Sequence, residues 1–226
     1  MKNVRCLIFV KSAAAPACIL GVPKHHLTEA AIHKHASVRI ILDEHASLSA
    51  MLRSMQMMVA RGPGDRAQRF FDVLRAMLFY IDEFPERMHH PKESDLLFPR
   101  VVRAAPSVMA TVEQLERDHM NGEKAVRELQ HLLLAWELLG EQRKPEFEAQ
   151  CQRYIQFYLE HMRLEETVIL PEAAKVLTDA DWKVLDAAFL QNRDPLAGRQ
   201  AADPVYDRLF TRIVQQAPAP IGLGDA

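Results

Sequence analysis

Glycine is scarce in this chain, eight residues in 226, and no stretch alternates apolar and β-branched residues as a half-buried strand does. A sheet-rich fold is therefore not expected. Cysteine is almost as thin. Cys6, Cys18 and Cys151 are odd in number, far apart and without C-x-x-C spacing. That argues against a disulfide framework, an iron–sulfur cluster or a thiolate zinc site, and makes a reducing, cytoplasmic setting the expectation. No apolar run approaches the ~20 residues that span a bilayer. Near the start, Lys2 and Arg5 precede an apolar run over 6–10 that Lys11 interrupts. A secretory leader needs ~7–15 apolar residues there, so an irregular leader is expected instead. The formal charge is only −2, which gives no basic face for nucleic acid or an anionic membrane.

What the chain has is apolar residues, 49% of the total, enough for one domain with a full core. From about residue 35 they recur with helical period. His45, Leu48, Leu52, Met55 and Val59 fall on one face of a first helix, expected over about 37–60. Arg61-Gly-Pro-Gly64 should end it, and Asp65 should cap a second helix through Phe70, Leu74, Met77, Leu78 and Ile81. Pro85 and Pro91 should kink or break that helix where histidines gather. Ala105-Pro106-Ser107 is the next break, and a long third helix should run to about Leu139 and stop at Gly140. Pro145 fits the first turn of a fourth helix, which Pro171 should bend near its end. Thr178-Asp-Ala-Asp181 has the form of a capping box for a short fifth helix, and a sixth is expected over about 204–215. The expected class is all-α: an antiparallel up-and-down four-helix bundle with two short C-terminal helices packed outside it. The expected division is an irregular leader over 1–35, the bundle over 36–177 and an extension over 178–226.

Two segments repeat each other. His89 and Glu93 stand four apart, followed by two apolar residues and Pro99; His161 and Glu165 stand four apart, followed by two apolar residues and Pro171. Each is preceded by a further match: Ile41-Leu-Asp-Glu-His45 and Leu115-Glu-Arg-Asp-His119. The order His, then His-x-x-x-Glu, is stated twice. Residues four apart share a helix face, so each pair can reach one site, while His45 and His119 arrive from the other two helices. One such motif alone reads as a surface pair. Six in duplicated order, flanked by apolar residues, read as ligands for two iron or manganese ions. Buried unpaired, they would cost several kcal/mol. His90 competes with His89, but four on from His90 is Ser94, so His90 is expected outside the ligand set. Glu166 is one residue, about 100°, off the angle that suits Glu165. His25, His26, His33 and His35 lack paired carboxylates at helical spacing and are expected to be solvated or an adventitious metal site; His131 lies about 120° around the helix from His119. Met51, Met55, Met57 and Met58 form a sulfur-rich stretch in which Met55 reads as core filling.

The pieces Phe84-Pro-Glu-Arg-Met-His-His-Pro-Lys-Glu93, Leu97-Phe-Pro99, Asp118-His119 and His161-Met-Arg-Leu-Glu165 resemble the hemerythrin-like cation-binding family over about 36–176. The resemblance implies two non-haem iron ions, oxo- or hydroxo-bridged, and a small diatomic ligand or peroxide as partner. It implies a protein that senses or scavenges oxygen, nitric oxide or iron. The alternatives are a nitric oxide or peroxide reductase, with Tyr80, Tyr154 and Tyr158 as redox partners, or an iron-centre repair factor. A third reading is an interaction module with a vestigial site. Oxygen-carrying members have a second histidine four residues after the one on the third helix, and this chain has Glu123 there. Glu123 is therefore expected as a carboxylate ligand or as a holder of a ligand, and oxygen carriage as poor.

Overall fold

The computed structural model describes residues 34–197 and 204–224, and among them the chain is helical with no strand. The first helix, α1, is Ala36–Arg61. Val38, Ile41, His45, Leu48, Leu52, Met55 and Val59 are buried along it at steps of three and four, the stripe its sequence pattern demands. Gly62 ends it with φ 77°, a conformation that costs glycine little, and its N–H donates to Met58 O. Asp65 does not cap the next helix. It sits inside a tight turn, Gly64–Arg66, so Arg66 takes the cap position with no side-chain bond.

The second helix, α2, starts with Ala67–Ile81 and continues unbroken through Asp82–His89, His90–Lys92, Glu93–Leu97 and Phe98–Ala104. Pro85, Pro91 and Pro99 lie within it. The expected break at Pro85 and Pro91 does not occur. A helical proline lacks a donor and its ring collides with the carbonyl four residues back; here the helix answers by widening. The turns Asp82–His89 and Glu93–Leu97 are π-helical, with His90 N–H bonding to Pro85 O and Phe98 N–H to Glu93 O. Each donor spans five residues, one more than in an α-helix.

After Ala105 and a short turn, Pro106–Val108, comes α3, Met109–Leu139, which Gly140 closes at φ 94°. The fourth helix, α4, opens as Lys144–Leu164, widens over Glu165–Ile169 and ends as Leu170–Val176. Leu170 N–H bonds to Glu165 O just before Pro171, repeating the Glu93–Phe98 geometry of α2. The fifth helix, α5, is Asp179–Phe189, with the capping box at Thr178 and Asp181 formed in both directions. The sixth, α6, is Asp207–Gln216.

The four long helices pack in a ring, each on its neighbours in the chain and α1 on α4. Their buried apolar residues fall into two clusters. One contains Leu48, Leu74, Phe84, Val126, Trp136 and Met162; the other contains Ile41, Leu97, Leu115 and Ile169. On the four long helices the two clusters leave a gap in which His45, His89, Glu93, His119 and Glu165 lie, with His161 at its edge beside Met162 of the first cluster. A polar layer is thus enclosed between two apolar ones. The C-terminal helices take part in this packing. On α5, Trp182, Leu185 and Phe189 join the second cluster, and α6 delivers Ile213 to the first.

If α5 is part of the core, Leu185→Ala should destabilise the chain by about 2–5 kcal/mol, the usual cost of a buried leucine. Urea denaturation measures it. A loss well under about 1 kcal/mol would make α5 an attachment instead.

Candidate metal centre

Seven side chains meet in the polar layer: five imidazoles from His45, His89, His90, His119 and His161, and the carboxylates of Glu93 and Glu165. Glu93 is fully buried and Glu165 is 1% exposed. Their donor atoms form two overlapping groups, His90, Glu93, His119 and His161 on one side and His45, His89 and Glu93 on the other. Each carboxylate turns one oxygen to each side. Glu93 Oε1 is 3.2 Å from His89 Nε2 while Oε2 is 3.6 Å from His119 Nε2. Glu165 Oε2 is 3.2 Å from His45 Nε2 while Oε1 is 3.3 Å from His161 Nε2.

The chemistry of these atoms fits cations. All four oxygens of Glu93 and Glu165, and His89 Nε2, are buried without a hydrogen bond. Such atoms inside a bundle cost several kcal/mol unless something compensates them. His119 Nε2 and His161 Nε2 face each other at 3.2 Å, close for two lone pairs. Donor atoms about 2.1 Å from a shared ion stand about 3 Å apart, which is the spacing seen. Protons do the ion's work in part. Burial would lower the pKa of His89, but Glu93 and Glu44 outweigh it and hold it well above the usual value. His161 is pushed up to about 10 against burial, chiefly by Glu165. Burial would raise Glu165, yet His161 and the histidines beside it hold it well below the carboxylate range. His90 goes the other way: burial, then His119 and His161, press it well below. A neutral imidazole is the ligand form.

Four of the five rings are also held from outside by a hydrogen bond at Nδ1, and His161 Nδ1 makes none. His45 Nδ1 is 3.0 Å from Glu166 Oε1, His89 Nδ1 is 2.6 Å from Glu44 Oε2, and His90 Nδ1 is 3.1 Å from Glu86 Oε2. His161 Nδ1 is 3.6 Å from Asp118 Oδ2. His119 Nδ1 is 2.9 Å from the Ser94 hydroxyl, which itself donates to Glu116. Carboxylates only accept, so Nδ1 carries the proton and Nε2 is left for the centre. This is the outer support that metal-bound histidines have. Glu86 is held in turn: the Tyr158 hydroxyl donates to it, and the Tyr154 hydroxyl does so at 3.3 Å. Burial pushes Glu86 up to about 7, with both phenols pulling it back. Gly122 makes room for this network, because a Cβ there would collide with the Tyr158 hydroxyl.

Glu123 is not in the cluster. It is exposed and pairs with Arg127 at 2.6 Å. The buried face of α3 runs through Leu115, His119, Gly122, Val126 and Leu129, and at about 100° per residue its centre lies on the far side of His119 from Glu123. A fifth imidazole comes instead from His90, which sequence reasoning placed outside. In a regular helix only one of two adjacent histidines faces inward. The wide turn that precedes Pro91 reduces the angle between residues 89 and 90, and both enter. The signal was present as two prolines bracketing the histidine pair. Glu166 lies outside and supports His45, as its angle suggests. His35 stacks on Trp182 at 4.1 Å, His131 is exposed, and His25, His26 and His33 lie outside the described residues. Met51 and Met55 are core while Met57 is exposed, so the methionines form no common site.

Residues 36–173 match the family described as the Hemerythrin HHE cation binding domain. Comparison with curated proteins gave no match. No helix of the described residues is long and apolar enough to cross a membrane.

Cation binding should show in stability. An ion that binds only the folded chain at a thousand times its Kd adds about 4 kcal/mol, or about 8–16 °C in Tm for this size. Calorimetry of chelator-stripped and ferrous- or manganese-loaded protein measures it, and coincident melts would contradict a cation site.

Proposed function

The chain belongs to the hemerythrin family of HHE cation-binding domains, and from that premise we propose that it is a di-iron protein that senses or scavenges oxygen or nitric oxide. The metal-binding unit is residues 36–177, with its four long helices running up and down and antiparallel. His90, His119 and His161 would hold one iron and His45 and His89 the other, with Glu93 and Glu165 each offering an oxygen to both groups. Glu123 has no part in it. The observation that carries this reading is the orphaned carboxylate pair, each member offering one oxygen to each histidine group. Two carboxylates suit two cations that would otherwise repel strongly in an apolar interior. The expectation of poor oxygen carriage rested on a count of four histidines; the fifth removes its basis.

The ligand class follows from the space. Beside His45, His89 and His90 lies a cavity of about 20 Å³ walled by Leu48, Phe84, Met88 and Met162. It admits about one water-sized molecule, and Glu44, Asn192, Arg193 and Asp194 line it beside the apolar walls. Iron bound there would supply reversible one-electron chemistry. The protein's own groups fix the imidazoles of His45, His89, His90 and His119 from outside. Of the polar groups that line the cavity besides the three histidines, Glu44 is occupied in holding His89 Nδ1. One observation favours an enzyme as the second reading. The Tyr154 and Tyr158 phenols reach a histidine of the centre through Glu86, a path along which a proton and an electron can travel in a reductase.

The test is stopped-flow mixing of anaerobic ferrous-loaded protein with nitric oxide and with oxygen. Binding to a sensor or scavenger should give a spectral change with one or both at about one equivalent. Catalytic turnover of nitric oxide or peroxide, well above free iron, would move the assignment to the reductase. No response to any of them sinks both.

A further inference from the structure

The segment 190–197 follows α5 and lies beyond the residues matched to the family. Two of its polar side chains, Asn192 and Asp194, are each only 7% exposed. Asp194 anchors the segment: it accepts from the Tyr80 hydroxyl at 2.6 Å and from Leu196 N–H at 2.8 Å. Asn192 is tied at both ends of its amide. Its Oδ1 accepts from Lys92, and its Nδ2 donates to Glu44 Oε2 at 3.0 Å. That same oxygen accepts from His89 Nδ1.

Glu44 is therefore not held by its histidine alone. Three rotatable bonds separate its carboxylate from the α1 backbone, and the Asn192 amide, itself fixed by Lys92, removes that freedom. The outer partners of His90, His119, His161 and His45 all come from α2, α3 and α4. Among the described residues, only the support of His89 reaches into the C-terminal segment. Glu44, Asn192 and Asp194 also line both the inner cavity and an outer groove of about 140 Å³ bordered by Ala36, Ile40 and Ala197. They are the partition between the two.

We propose that Asn192 is a positioning residue for the half of the centre built on His45 and His89: by donating to Glu44 it orients His89, and it closes the cavity toward the groove. The C-terminal extension is then part of the metal site. This rests on the two-ion reading above, and the test separates the two.

The full-length chain is titrated with cobalt(II), a spectroscopic probe that does not depend on iron, against a competing chelator. The variants are Asn192→Ala and the nearly isosteric Asn192→Asp, which keeps the volume but loses the donor. Wild type should bind two ions. Both variants should weaken one of them about 10–100-fold, as removal of an outer partner does, and alter the absorption bands of that ion alone. The other ion, bound through His90, His119 and His161, serves as the internal control for folding. Unchanged affinities in both variants overturn the proposal. So does equal weakening of both ions, which would mean general loosening, or wild-type behaviour of Asn192→Asp, which would mean that Asn192 only fills space. A wild-type chain that binds fewer than two cobalt ions overturns the two-ion reading and this inference with it.

Discussion

Two glutamates, Glu93 and Glu165, are buried with no hydrogen bond to any of their four oxygens, and much of the molecule is arranged around that fact. An uncompensated carboxylate in an apolar interior neutralises or finds a cation. Here five imidazoles surround the pair, and a second group stands behind each imidazole. The apolar packing flanks this layer, one cluster on each side of Glu93 and Glu165 along the long helices. Those clusters stabilise the fold by burial, at roughly 25 cal/mol per Å² of apolar area. The polar layer between them is unfavourable until its charges are met. Binding of a cation by these groups would for that reason add to the stability of the fold.

The backbone serves the same layer. Prolines inside helices usually disrupt them, yet α2 carries three and α4 carries Pro171 near its end. Around them the helices widen instead of ending. The widened turn before Pro171 begins at Glu165, and the one before Pro99 begins at Glu93, so both carboxylates sit where the helix departs from its regular step. The long widened turn before Pro91 ends on His89. Wide turns of this kind concentrate at functional sites because they turn a side chain to an angle a regular helix does not offer. The pairing of proline with ligand-type residue, repeated in two helices, is the structural counterpart of the sequence duplication.

Much of this was legible from the residues. The stripe on α1, the glycine ends of α1 and α3, the Thr178 capping box and the helical class follow from local rules of periodicity and capping. The placement of His45, His89, Glu93, His119, His161 and Glu165 in one buried layer followed from steps of four on facing helices. The failures share a cause. Glu123 was placed by sequence distance from His119, whereas the inward face of α3 is set by its whole run of buried residues. His90 was excluded by the geometry of a regular helix that the prolines had already altered. Asn192 left no local signal at all, because its role depends on a contact with Glu44 across 148 positions. Local patterns reveal what one helix does; a long-range hydrogen bond needs the fold.

The central claim is that two iron ions share Glu93 and Glu165, with three imidazoles on one side and two on the other. Anomalous diffraction at the iron edge, from crystals of the iron-loaded chain, tests it most directly. Two peaks should flank the carboxylates, one in contact with His90, His119 and His161 and the other with His45 and His89. A single peak, no peak, or an iron bound at Glu123 would contradict the account.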